Sequence, residues 1–194
     1  MREDGWWSRR REVSNIDHML AQYLAGPRLL QQALAGMTHE QMTSRPVRGR
    51  WSTLEVVCHI VESEMVLAHR MKRVIAENKP LLISYDESRF AARLAYHEHK
   101  WEEELALLDQ VRVQMARILR SLPINAWERT GIHNQQGMVT LEQLCRTAVD
   151  HLLHHMKFIL EKRQALGLPL PELAVRMPSE PNGNRVRALN GGRN

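Results

Sequence analysis

The run DHLLHH, Asp150 to His155, places three histidines and an aspartate inside a helical pattern. At about 100° per residue, His151 and His155 fall about 40° apart on one face and one turn apart. Two imidazoles so placed can bind one metal ion. His154 lies about 60° from His151 on the other side and is a weaker second choice. His155 falls on the stripe made by Leu141, Leu144, Ala148, Leu152 and Ile159, while Asp150, Lys157 and Glu161 occupy the opposite face. A polar ring on a core-facing stripe needs a partner, because an unpaired buried polar group costs about 1–3 kcal/mol. From these residues alone two readings stand, a pair hydrogen-bonded in the core and a metal-binding pair, with packing slightly ahead.

A third ligand has to come from elsewhere, and His59 is the leading candidate. On a helical wheel it lies with Glu55 and Glu62, away from the centre of its helix's apolar arc, so a solvent-facing ring is the alternative. That arc is wide, as if the helix met several neighbours or a second subunit, and Val66 sits on the His59 side. Spacing does not choose between these.

The elements that must carry these residues read as four long helices. Apolar residues at three- and four-residue spacing run from Val13 through Leu20, Leu30 and Met37, with Gly26 and Pro27 predicting a kink. A short turn opened by Thr38 follows. The second helix starts at a capping box, Ser52 with Glu55, with Trp51 and Val56 as its hydrophobic staple, and runs to Asn78 and Pro80. Residues 77–96 hold no long periodicity and read as an extended crossover with one short helical turn. The third helix runs from Trp101 to Leu122, and a loop holding Gly131, His133, Asn134 and Gly137 follows. Thr140 with Gln143 is a second capping box, and Gly167 and Pro169 punctuate the far end of the fourth helix. No convincing alternating strand appears, so the expected class is all-α, a four-helix bundle. The domain is read over residues 12–170, between a basic N-terminal extension at 1–11 and a tail at 171–194 whose Pro, Gly and Asn content predicts disorder.

GRWSTLEVVCHIVESE, Gly49 to Glu64, resembles the Trp-Ser, Glu and His pattern that opens the second helix of DinB/YfiT-like proteins. DHLLHH resembles the histidine cluster of their fourth helix, and the segments PLLISYDE and GIHNQQGMVTLEQL are similar as well, so the likeness covers residues 12–168. The resemblance implies a four-helix bundle of up-down-down-up topology and a divalent metal, zinc or nickel, held by three histidines. Carried over by position, these are His59, His151 and His155. Some members act as thiol-dependent transferases or isomerases with bacillithiol, mycothiol or glutathione. The implied function is a metal-dependent enzyme that activates a water or a low-molecular-weight thiol against a small-molecule substrate, a hydrolase or a thiol S-transferase. The alternative is a non-catalytic metal-binding or stress-response bundle.

The remaining residues bound this reading. Glu55, Glu62, Asp150, His154 and His133 are candidates to orient a ligand or move a proton, although capping explains Glu55 and a solvated position suits Glu62, Asp150 and His133, while His154 is an additional histidine that could compete for the metal. Cys58 and Cys145 are offered as soft ligands or, more commonly, small buried thiols, and two cysteines inside helices fit a reducing cytoplasm better than a disulfide framework. The N-terminus lacks the apolar stretch of a signal peptide, and no window reaches the length of a membrane span. The net charge of +5 sits largely at the ends, in Arg9, Arg10 and Arg11 and in Arg185, Arg187 and Arg193. With no zinc finger or aromatic RNA-binding signature, this charge reads as solubility, and no nucleic-acid partner is expected. No HExxH, P-loop, GxGxxG or GxSxG motif is present. The broad apolar arc on the second helix and the family's habits point to a homodimer.

Overall fold

The computed structural model describes residues 4–172. Its long helices are α1 (Asp4–Leu34), α3 (Thr53–Ala76), α5 (Trp101–Arg120) and α6 (Leu141–Ala165), with two short ones, α2 (His39–Thr43) and α4 (Glu87–Arg93). Of the expected N-terminal extension, residues 1–3 lie outside the described residues and the backbone from Asp4 continues α1. The tail expected from residue 171 lies outside them from residue 173.

Sequence-encoded caps set the helix starts. The Ser52 hydroxyl accepts from the Glu55 amide while the Glu55 carboxylate accepts from the Ser52 amide, and Thr140 and Gln143 repeat the exchange at α6. A third box, Thr38 with Gln41, opens α2 where a turn was expected.

Cross-helix contacts fix the directions. Arg163, near the end of α6, donates to the Ala33 carbonyl at the end of α1, so these two helices run parallel. His59 in the first half of α3 meets His155 in the second half of α6, so these run antiparallel. Cys58 meets His99, just before the start of α5, so α3 and α5 run parallel. The topology is therefore up-down-down-up, and the long link between α3 and α5 is the crossover that two parallel helices require.

That link and the loop before α6 hold more structure than periodicity showed. The link contains β1 (Leu81–Leu82), α4 and a 3₁₀ turn at Tyr96–Glu98. The loop is a hairpin of β2 (Thr130–His133) and β3 (Gly137–Thr140). The three strands form a sheet in the order β1-β2-β3, with β1 parallel to β2 and β2 antiparallel to β3. The expectation that no strand is present is thus corrected. Strands of two to four residues are too short to carry a period-two pattern. Gly131 is required here, since a Cβ on it would press against the Leu82 and Val74 side chains.

The apolar core divides into two clusters, one gathered around Tyr23, Met71, Met115 and Ala148, the other around Leu30, Val57, Tyr96 and Met156. The start of α3 is surrounded: every residue from Thr53 to Val61 is buried. Its wide apolar arc is therefore spent on neighbours within the chain. No helix among the described residues is long and apolar enough to cross a membrane.

Candidate metal centre

α3 and α6 each bring imidazoles to one point between them. The Ser52 cap fixes the start of α3, and Arg45 locks it from outside, its Nη2 lying 2.5 Å from Glu55 Oε1. His59 stands two turns beyond that cap, against the Trp51 ring at 5.2 Å between centroids. Its side chain is only 2% exposed. The solvent-facing alternative for His59 is thereby removed.

His59 Nε2 lies 3.1 Å from His151 Nε2 and 3.2 Å from His155 Nε2. One Nε2–H cannot make near-linear hydrogen bonds to both neighbours at once. Three Nε2 lone pairs turned to a common point match the preference of a tetrahedral ion for three imidazoles, where bonds of about 2.0–2.1 Å place the nitrogens about 3.3 Å apart. His155 Nδ1 is buried and finds no hydrogen-bond partner among the described residues, so its ring is satisfied only through Nε2.

Burial also sets the protonation state. It lowers His59 from 6.5 to about 4. His151 falls to about 3, through burial first and the neighbouring His59, His154 and Arg112 after it. His155 is pushed lower still by burial and by the other histidines. All three rings are neutral near pH 7, the state in which imidazole offers a lone pair to a cation. The donor set therefore fits a divalent metal.

A residue that spacing did not single out also approaches this point. Glu87, on the first turn of α4, places Oε2 3.5 Å from His59 Nε2. It is carried there by the link, where Asp86 caps α4 by accepting from the Arg89 amide. The only signal for it in the sequence is its place in the PLLISYDE segment.

The sequence profile of the DinB superfamily matches residues 22–159, most of the chain and all three histidines. The chain belongs to the DinB superfamily. Among its relatives, a protein of Bacillus licheniformis named as a candidate metal-dependent hydrolase is 30% identical over 142 residues, spanning 73% of this DinB chain and 81% of the relative. The solved structure of YfiT from Bacillus subtilis, described as a four-helix bundle of unusual topology, superposes with a TM-score of 0.74 at 27% identity, covering 79% of this chain and 88% of that one. A mycothiol-dependent maleylpyruvate isomerase shares the fold alone, with a TM-score of 0.53 at 13% identity over 79% of this chain and 60% of its own.

The other five candidates of this DinB chain lie elsewhere. Glu55 is committed to its cap and to Arg45; burial would raise its carboxyl, but the hydrogen bonds from Arg45 and Ser52 and the charges of Arg45 and His97 hold it below the ordinary value. His154 is exposed and stands edge-on to His155 and Phe158, outside the convergence. Asp150 is exposed on the outer face of α6. His133 is buried in β2, where its Nδ1 accepts from the Gln135 amide. Glu62 is half-buried on α3, where burial and the Glu104 charge raise its carboxyl and His99 lowers it.

Proposed function

We propose that this DinB superfamily member is a metal-dependent enzyme in which His59, His151 and His155 hold a divalent cation, zinc or nickel, with a position left open for water or a low-molecular-weight thiol. The convergence of three neutral Nε2 atoms, two from buried residues and one from the partly buried His151, carries this reading. A cation so held lowers the pKa of a water or thiol ligand towards neutrality and thereby supplies a nucleophile at pH 7.

The chain's own residues account for the rest. Glu87 faces the centre beside His59, placed to accept the proton that the nucleophile gives up and to return it to the leaving group. A small cleft beside His155 is lined by Arg50, Trp51, Val56, Phe158 and Lys162. Hydrolysis is the reading that the relatives' names favour, and transfer of a thiol to an electrophile would use the same position.

Elemental analysis of the purified protein and of His59→Ala, His151→Ala and His155→Ala tests the site. About one equivalent of metal in the parent and its loss in each variant is expected. Unchanged metal content across the three overturns the proposal. Incubation of the loaded protein with ester and amide substrates, and separately with thiols plus electrophiles, then separates hydrolysis from transfer.

A further inference from the structure

A second group of ligand-type side chains lies on another side of α3. Cys58 Sγ is 3.7 Å from His99 Nδ1, and Glu104 Oε1 is 2.9 Å from the same nitrogen. One ligand atom from each of the three lies within 4.8 Å of the others. We infer that Cys58, His99 and Glu104 form a second cation site, separate from the three-histidine centre, that takes a zinc-class divalent ion through one thiolate, one imidazole and one carboxylate.

The spacing matches the chemistry. A Zn–S bond of about 2.3 Å and a Zn–N bond of about 2.0–2.1 Å at a tetrahedral angle put sulfur and nitrogen about 3.6 Å apart. The tautomer also fits. His99 Nε2 lies 3.1 Å from the Leu94 carbonyl oxygen, and in the tautomer that donates to this carbonyl the Nδ1 lone pair is left for a cation between Cys58 and Glu104, in place of the Nδ1 to Glu104 hydrogen bond of the metal-free protein. Donation of the distal N–H to a backbone carbonyl is how metal-binding histidines are commonly oriented. The left-handed conformation of Ala95, with φ of 52°, turns the chain between Leu94 and the 3₁₀ turn at Tyr96–Glu98 that leads to His99.

Charge points the same way. Glu62, one helical turn beyond Cys58 on α3, lies near this group: burial and the Glu104 carboxylate raise it, and His99 lowers it. Two carboxylates and a thiol gathered around one imidazole make a concentration of negative charge that a divalent cation offsets. Access is open, because the His99 side chain is 31% exposed. Three protein donors leave one position of a tetrahedral ion for water. Binding converts the Cys58 thiol to a thiolate and releases its proton to the buffer.

Titration of the metal-free full-length protein with Co²⁺ tests this, because only a thiolate ligand gives a near-ultraviolet sulfur-to-cobalt charge-transfer band. The parent is expected to show that band. It should vanish in Cys58→Ser, weaken at least about tenfold in affinity in His99→Ala, and persist in Cys145→Ala and His151→Ala. His99→Ala alters a partly exposed ring, so it keeps the test informative should Cys58→Ser fold poorly. Absence of the band in the parent at excess Co²⁺, or an unchanged band in His99→Ala, overturns the inference. His151→Ala separates the two sites: loss of an equivalent without loss of the band belongs to the three-histidine centre alone.

Discussion

Arg112 Nη1 donates to the Tyr23 carbonyl oxygen at 2.8 Å, filling the place that the residue four positions on leaves empty. That residue is Pro27, which has no amide hydrogen to return to the Tyr23 carbonyl. The guanidinium also bonds Glu64 Oε2 through Nε and Nη2 and the Ala148 carbonyl through Nη2. The Tyr23 hydroxyl donates to the other Glu64 oxygen. Four helices are thus joined at one buried charge pair, whose side chains are 1% and 2% exposed. Gly26 leaves the space, since a Cβ there would collide with Arg112 Nη1.

Arg112→Met is therefore expected to destabilise the bundle by about 3–5 kcal/mol, because it leaves the Glu64 carboxylate buried without its partner. Urea unfolding measures the loss. The double variant Glu64→Gln/Arg112→Met should lose less than Arg112→Met alone. Equal stability of Arg112→Met and the parent would show that the pair does not hold the helices together.

Metal should stabilise the folded state. At a free concentration about one hundred times its dissociation constant, an ion bound only to the native protein adds about 2.7 kcal/mol. Thermal unfolding with and without Zn²⁺ is expected to show an upward shift of Tm in the parent, reduced in His151→Ala. Because the second site contributes its own shift, the comparison is made in the Cys58→Ser background.

The metal-free protein should lose stability as pH falls from about 6.5. The unfolded histidines take up protons from that point, whereas folded His59 and His151 resist until about 4 and about 3. Below pH 6.5 the unfolded state therefore binds more protons, and stability falls by up to about 1.4 kcal/mol per pH unit for each such ring. Above 6.5 both states are neutral and the contribution is fully present. Unfolding free energies at about pH 7 and about pH 5 check this, and a flat profile would contradict it.

How much of this was readable in the chain depends on how local each signal is. His151 and His155 were legible because their partnership is one turn of one helix. The starts of α3 and α6 were legible because Ser52 with Glu55 and Thr140 with Gln143 are written within four residues. His59 was not decided, because a wheel finds a face only where one side of a helix meets water, and the first nine residues of α3 are buried all round. Glu62 was considered with the histidines on the strength of its wheel position, but α5 approaches that side and brings the Glu104 charge near it. Glu87 and His99 lie in a link whose path is set by tertiary contacts, so no periodicity announced either.

Glu87 offers the sharpest test of chemistry as distinct from metal binding. Its carboxylate is 17% exposed and lies 3.5 Å from His59 Nε2, close enough to the centre to serve a bound nucleophile yet outside the set of three convergent nitrogens. Glu87→Gln keeps the size of the side chain and removes its ability to carry a proton. If Glu87 moves that proton, turnover of whichever substrate the panel identifies should fall by about 10²–10⁴, while metal content stays at the parent level. Loss of metal in Glu87→Gln would instead make the residue a fourth ligand, and full activity with metal retained would remove it from the reaction.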